Sequence, residues 1–527
     1  MTGLAWNAVI DGKKKKPIEQ PEENNSVPWD NMEQTDPAPE EQEQATSAGA
    51  DQEDQKVIAQ ALLSEAEKLS LFFKGNAKGE YRVIDFNVFE YIKKNFPICI
   101  VGGVPFVYHD GYYERDNTSG TMIKGLIRDC LMVRKEQITS TIENRIYNLF
   151  LNDPELQFSM DQMNNYPKHW IVFRNCVYDP IEKLTFAHDP SYRAINRIAV
   201  DYKTDVFGAR QIEEITEGKL NSKVYSWLKG LFPDPEDFEM VLEYCGYCLT
   251  IDTRQQKFLI LEGLPASGKS VLIKLIGDIV GSDNISNLPL EKFSHRFASF
   301  NIMGKLVNSC GDIGTSVIDD ITIQKQALGE DYIQAEAKGK DAISFKPYAK
   351  LLFSANGLPT IENEESSGFY RRVLVANTRH NVEKVDPMFY EKNILPEVDT
   401  FVYMIVKALE RMYERGTIVE SAGSTKSVNR MWAKSDPVKA FLDECTRPKQ
   451  GAKIERSYLF KLFDLARFNL QAKKLSSTQF YASLRAKGYE VDFKTGGIMY
   501  VTDIELVRSS FIASQNIDPD NQYLTVK

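Results

Sequence analysis

The sequence predicts an α/β fold, and three observations carry that prediction. An apolar run, Phe258–Glu262, leads into the glycine-rich loop GLPASGKS and then into an amphipathic helix that stops near Gly281. This is the strand–loop–helix setting in which G-x-x-x-x-G-K-[ST] wraps phosphate. From residue 251 to about 380, apolar runs alternate with helical patterns, as in a parallel sheet with crossover helices. Upstream, residues 57–215 mix helical spacing with hairpin-like runs. A chain of 527 residues predicts three or four domains, and an apolar fraction of 43% is enough to build their cores.

Taken in order, residues 1–56 are rich in Glu, Gln, Pro and Asp and poor in large apolar side chains. Such a segment cannot bury enough surface to offset its ordering entropy, so it is expected to be a disordered acidic tail. Residues 1–55 hold 13 acids and four bases (Lys13–Lys16), so almost all of the net charge of -10 sits there. The remainder is nearly neutral, and net charge neither announces nor excludes a nucleic-acid partner. Val27–Asp30, VPWD, could act as a docking peptide.

Within 57–215, VIDFNVFEYIKKNF has helical spacing. ICIVGGVPFVYHDGYYERD reads as a hairpin whose second run is broken by a turn at His109–Asp110–Gly111, and HWIVFRNCVYDPIEKLTFAHDP repeats the pattern with a turn at Asp179–Pro180. Residues 216–250 are expected to be helical. The spacing of Phe401, Ile405, Ala408, Leu409 and Met412 predicts a helix that Gly416 ends. Residues 436–510 form a separate small unit, followed by a tail, 511–527. No apolar run reaches membrane-spanning length, and the N-terminus is not a secretory signal. The seven scattered cysteines read as reduced core residues of a cytoplasmic protein. Cys245 and Cys248 have metal-ligand spacing but lack a second pair, so they are expected to be buried thiols.

The loop implies a nucleotide. Gly263, Pro265, Ala266, Ser267, Gly268, Lys269, Ser270 and Val271 form the expected phosphate cradle, with Lys269 on the β- and γ-phosphates of ATP and Ser270 on Mg²⁺. Hydrolysis also needs a carboxylate at a neighbouring strand tip. KLVNSCGDIG supplies Asp312, the expected second Mg²⁺ ligand. Gly311 stands where many such ATPases carry another acid, so Asp312 serves alone or with Asp319 or Asp320; the alternative is that Asp312 caps the next helix. YAKLLFSANG ends a buried run in Asn356, placed to read the γ-phosphate or else to satisfy a turn before Gly357. GFYRRVLV holds Arg371 and Arg372, either an arginine finger or a surface pair bridging to Glu364 and Glu365.

In the C-terminal unit the sequence reads helix, helix, helix, hairpin, the plan of a winged helix. Ser476–Thr478 caps the third helix, and Gly496–Gly497 turns the hairpin. Arg485, Lys487 and Lys494 lie on its basic side, as candidate DNA contacts. The same unit could instead pack on the rest of the protein or on a partner.

Lys269, Asp312, Asn356 and the arginine pair, in this order and within this span, resemble the superfamily 3 helicases, a branch of the AAA+ ATPases. The text VLEYCGYCLTIDTRQQKFLILEGLPASGKSVLIKLIG, GKLVNSCGDIG, AEAKGKDAISFKPYAKLLFSANGLPTI and GFYRRVLV is similar to the phage/plasmid primase-helicase family, to which the poxvirus primase-helicase NTPase belongs. FRNCVYDPIEKLTFAHDP resembles that family's N-terminal collar. The resemblance covers about residues 80–500 and departs at Gly311 and in the lack of a preceding primase domain. It implies an AAA+ core over 251–435, a collar over 57–215, an oligomerisation segment over 216–250 and the winged helix over 436–510. It also implies a homohexameric ring around DNA, with Lys338 and Lys340 on a pore hairpin gripping the backbone. The expected activity is ATP-dependent unwinding of forked DNA by translocation on a single strand, during replication of a phage, plasmid or mobile element in a bacterial host cell. A separate primase or a replication origin is a possible partner. The alternative is an origin-binding initiator or loader that uses ATP mainly as an assembly switch.

Overall fold

The computed structural model describes residues 63–116, 119–203, 222–295, 298–313, 317–318, 320–336, 343–361, 367–379, 386–470 and 472–507. The acidic tail, Lys338, Lys340, Asp319, Glu364 and Glu365 lie outside them.

The chain begins with helix α1 (Glu65–Phe72), a two-stranded ribbon of β1 (Phe73–Gly75) and β2 (Tyr81–Val83), and helix α2 (Asp85–Asn95). The run read as one hairpin is a meander of three strands, β3 (Ile98–Val101), β4 (Val104–His109) and β5 (Tyr112–Arg115). Both turns form: Gly102 and Gly103 adopt positive φ in the first, Asp110 and Gly111 in the second. Helices α3 (Thr121–Leu131) and α4 (Ser140–Asn152) follow, and β6 (Gln157–Phe158) pairs parallel with β3. A second antiparallel sheet holds β7 (Ile171–Val172), β8 (Val177–Asp179) and β9 (Leu184–Phe186).

Helices α5 (Lys223–Leu231) and α6 (Pro235–Tyr247) lead into the main sheet. Asp234 accepts from the backbone N–H groups of Glu236 and Asp237 to start α6, with Pro235 in the first turn. Cys245 and Cys248 are buried on and beyond α6. Strand β10 (Phe258–Glu262) precedes helix α7 (Lys269–Val280), β11 (Ile285–Ser286) and β12 (Val307–Cys310). Next come β13 (Val317–Ile318), α8 (Thr322–Leu328) and the antiparallel pair β14 (Ile333–Ala335) and β15 (Ile343–Phe345). This pair is the base of the hairpin expected to carry Lys338 and Lys340. Strands β16 (Lys350–Ala355), β17 (Thr360–Ile361) and β18 (Val373–Asn377), with helix α9 (Ser367–Tyr370) between the last two, complete the region.

The main sheet is parallel in the order β11-β12-β16-β10-β18. Its period-2 alternation divides two cores. Leu259, Leu261, Leu352 and Leu374 face the core shared with α5, α6, α7 and helix α10 (Val398–Arg415). Phe258, Ile260, Phe353 and Val375 face the core shared with α8 and the β14–β15 pair. Burial on both faces explains why these strands read as unbroken apolar runs. The face predicted on α10 is buried, and Gly416 ends the helix in the left-handed region.

Helix α11 (Ala422–Ser435) lies on β18 and leads into the C-terminal residues. These form α12 (Pro437–Cys445), β19 (Thr446–Glu455), α13 (Arg456–Asn469), α14 (Ser477–Ala486), β20 (Phe493–Thr495) and β21 (Ile498–Leu506) around a core of their own. Ser476 and Gln479 make a capping box at α14. Strand β19 was not expected. It pairs antiparallel with β21 and turns the hairpin into a three-stranded sheet. Among the described residues no helix is long and apolar enough to cross a membrane.

Lys350, at the start of β16, is 2% exposed. Its Nζ donates to Thr250 O at 2.6 Å and Tyr348 O at 3.1 Å and lies over the Tyr247 ring. Burial pushes its pKa down to about 7, against the opposing pull of Cys248 and Asp252. In the unfolded chain the value returns to about 10.4. Between these values the unfolded state binds more protons, so this residue makes stability rise with pH from about 7 to about 10; below 7 its cost is constant. We expect Lys350→Met to remove that rise. Urea midpoints across pH 6–10 check it: the slope difference from wild type should approach ~1.4 kcal/mol per pH unit inside the window and vanish below it.

Candidate nucleotide-binding site

The parallel order places three loops side by side at the C-terminal ends of β12, β16 and β10. The register pairs Cys310 with Phe353 and Glu262 with Ala355, so Asp312, Asn356 and Gly263 leave the sheet at neighbouring tips. In GLPASGKS, Ala266 (φ 59°) and Gly268 (φ 100°) are left-handed. Such residues curl backbone N–H groups inward into an anion-binding nest at a helix N-terminus. Gly263 is required for a separate reason: a Cβ there would collide with Thr378 Oγ1.

Lys269 is 7% exposed. Its Nζ donates to Gly263 O at 2.7 Å, Leu264 O at 2.8 Å, Ser267 Oγ at 3.3 Å and Asn356 Oδ1 at 3.2 Å. All four acceptors are neutral. Burial pushes the ammonium below its usual value, and the nearby Asp312 carboxylate pulls the other way. A cation held by neutral oxygens beside a nest of N–H groups fits a polyphosphate. Asn356 bridges onward: its Nδ2 donates to Asp312 Oδ1 at 3.2 Å. Lys269, Asn356 and Asp312 thus form one hydrogen-bonded chain across three strands, and Asn356 does more than satisfy a turn.

Asp312 does not cap the next helix, whose first N–H, that of Thr322, donates to Asp320 Oδ1 at 2.9 Å. Asp312 instead has φ 56°, and its N–H donates to Ser354 Oγ at 3.1 Å, which leaves its carboxylate exposed. With Ser270, also exposed, it offers the hard oxygen donors that suit Mg²⁺. Pro265 is exposed, while Val271 is partly buried against the core beneath α7.

The arginine pair stands apart. Arg371 and Arg372 precede β18, and β18 runs parallel to β10 with Phe258 opposite Val373. They therefore lie at the opposite end of the sheet from GLPASGKS, about 20 Å away at ~3.3 Å per residue. The two also differ from each other. Arg372 is partly buried; Nη1 donates to Gly368 O and Nη2 lies 3.5 Å from Gln256 Oε1. Arg371 is exposed, with no side-chain hydrogen bond or ion pair to a described residue.

Of the three C-terminal candidates, Lys487 is ion-paired with Asp436 at 2.7 Å, the two side chains being 14% and 4% exposed. Its ammonium faces inward and fixes α14 to the start of α12, so it is no longer a candidate for a DNA contact. Arg485 is half exposed and shares Asp492 with Arg456. Lys494 is exposed on β20.

Sequence reading missed four residues around the loop. Ser354 Oγ positions Asp312. Thr378 Oγ1 lies 3.0 Å from Ser267 Oγ. Arg430 Nη2 pairs with Glu262 Oε2 at 2.5 Å. Trp227 abuts Gly268. Ser354 stood in a quoted motif; the others are distant in sequence, and no local pattern marks them.

Residues 261–372 match a family described as a family of unknown function (DUF5906). The chain is 29% identical over 230 residues to "Putative helicase L207/L206" of Acanthamoeba polyphaga mimivirus, and 27% identical over 229 residues to "Putative helicase 184R" of Invertebrate iridescent virus 6. These matches cover 42% and 39% of this chain but only 22% and 21% of those proteins. Among solved structures, the apo C-terminal region of NrS-1 is similar at a TM-score of 0.44 and 12% identity, over 79% of this chain and 98% of that one.

Proposed function

We propose that the protein is an ATPase of the helicase type, working as a homohexameric ring that translocates on single-stranded DNA and opens forked duplex. One observation carries the reading: the hydrogen-bonded chain Lys269–Asn356–Asp312 lies at three adjacent strand tips, with Arg371 exposed at the far end of the same sheet. The names of the two viral relatives point the same way.

In this reading Lys269 binds the β- and γ-phosphates of ATP through the charge its neutral partners leave unmatched. Asn356 holds Lys269 and Asp312 in register and is placed to respond when the γ-phosphate leaves. Asp312 and Ser270 would hold Mg²⁺, which supplies charge neutralisation on the phosphates. Asp312, with no second acid at Gly311, also orients the attacking water. Arg371 cannot reach its own subunit's loop and serves the neighbour's nucleotide, which makes the site a property of the ring. The β14–β15 pair carries Lys338 and Lys340 towards the DNA backbone. Residues 251–435 form the AAA+ core, 57–215 a collar and 216–250 the oligomerisation segment. The order α12-β19-α13-α14-β20-β21 is that of a winged helix, with Arg485 and Lys494 as its candidate DNA contacts.

That C-terminal order also supports the second reading, an origin-binding initiator or loader. Strand displacement separates the two: a helicase shows steady ATPase stimulated by single-stranded DNA and displaces a strand, whereas a loader does neither strongly. Replacing both Lys338 and Lys340 by Ala should remove DNA stimulation and reduce strand displacement at least tenfold. Unwinding that survives the pair of substitutions rejects the pore-hairpin assignment.

A further inference from the structure

We infer that Trp227 is a nucleotide contact, its indole N–H donating to a phosphate oxygen of the nucleoside di- or triphosphate held by GLPASGKS. The inference rests on the nucleotide reading above and adds to it a residue far from the motif in sequence.

Trp227 lies on α5, far from the loop in sequence, yet the fold sets it against the loop's last glycine. A Cβ built on Gly268 would sit 3.3 Å from Trp227 Nε1 and 3.6 Å from Leu231 Cδ1. The nitrogen edge of the indole therefore faces the residue just before Lys269, where the loop joins α7. Its orientation is fixed by its neighbours. The ring lies 6.4 Å from that of Phe389, and Trp227 packs on the core shared by α5, α6, α7 and α10. The end of α5 is tied to the strand beside the loop, since Arg379 N donates to Leu231 O at 3.2 Å.

The indole N–H has no hydrogen-bond acceptor among the described residues, and Trp227 as a whole is partly buried. The nearby polar groups are engaged elsewhere: Thr378 Oγ1 with Glu262 O and Ser267 Oγ, Lys269 with its four oxygens. An indole N–H is a donor only. The donor faces a phosphate-binding loop with its hydrogen free, and a polyphosphate lying on that loop presents acceptors alone. Hydrogen bonds to charged acceptors are the stronger kind. The same contact gives Gly268 a second reason to be glycine, besides its φ: a side chain there would meet the indole.

The test is isothermal titration of the full chain with ADP and with inorganic tripolyphosphate, for wild type and Trp227→Phe. Phenylalanine keeps an aromatic ring on the Phe389 side and removes the donor together with part of the indole's area. We expect affinity for both probes to fall by a common factor of about ten or more. Equal affinities in the two proteins overturn the inference. A loss for ADP without one for tripolyphosphate also overturns it, because the indole then contacts the nucleoside. A second measurement does not depend on how Trp227→Phe folds. In 5-fluorotryptophan-labelled wild type, the ¹⁹F resonance of Trp227, assigned with Trp227→Tyr, should move on adding tripolyphosphate, and an unmoved resonance rejects the contact. If wild type binds neither probe, the nucleotide reading fails and takes this inference with it; if wild type binds and Trp227→Phe binds equally, only the inference fails.

Discussion

Lys269→Ala should abolish ATP hydrolysis, with turnover falling at least ~10²–10³-fold, the scale of losing one preorganised donor at a centre of developing charge. The geometry makes this residue more than a surface cation near phosphate. Its ammonium is buried, makes no direct ion pair, and is fixed by Gly263 O, Leu264 O and Asn356 Oδ1 within 3.2 Å. Charge kept in low dielectric interacts strongly with an incoming anion. The substitution also cuts the link between GLPASGKS and Asn356, so Asp312 loses its tie to the loop. The fold should tolerate the change, because the strands around the site are held by Leu259, Leu261, Phe353 and their neighbours rather than by Lys269. The check is steady-state ATPase with and without single-stranded DNA, beside a thermal melt. Appreciable turnover in a folded Lys269→Ala protein would reject the site assignment.

How much of this was legible in the sequence depends on the range of the signal. GLPASGKS is a local string with a strand before it and a helix after it, and its flanks formed as expected. Asn356 was legible because an unbroken apolar run, Leu351–Phe353, ends three residues before it, and buried parallel strands read that way. Strand order was not legible. That β16 lies between β12 and β10, so that Asn356 touches both Lys269 and Asp312, is a fact of the whole sheet. The Arg430–Glu262 pair and the Trp227–Gly268 contact join elements that share only that sheet. Strand β19 escaped because it is mostly exposed, contains Pro448 and Gly451, and shifts register between Pro448 and Lys453, so it lacks the alternation of a half-buried strand. Lys487 was misread for a different reason: composition marks a basic residue, but only the fold shows that Asp436 already holds it.

Arg371→Ala should lower ATPase turnover by about 10³–10⁵, the range measured for arginine fingers, and the loss should be repairable by a second inactive protein. Arg371 and Arg372 are adjacent in sequence but opposite in situation. The guanidinium of Arg372 points into its own subunit, bonded to Gly368 O, with burial pushing its pKa below the usual arginine value. Truncating it removes partly buried packing and a hydrogen bond, so Arg372→Ala should cost stability, on the order of 1–3 kcal/mol, and lower activity mainly through folding. Arg371 costs little to remove because nothing described depends on it. Since it lies about 20 Å along the sheet from its own loop at ~3.3 Å per residue, the proposed finger role requires the nucleotide of a neighbour. Mixing decides the matter. An Arg371→Ala subunit keeps a working loop, and a Lys269→Ala subunit keeps a working arginine, so some interfaces of a mixed ring carry both. ATPase activity should therefore reappear when the two inactive proteins are combined and peak near equal proportions. No recovery at any ratio, in rings verified as mixed by native mass spectrometry, would leave Arg371 without a role in trans and remove the main support for a site shared between subunits.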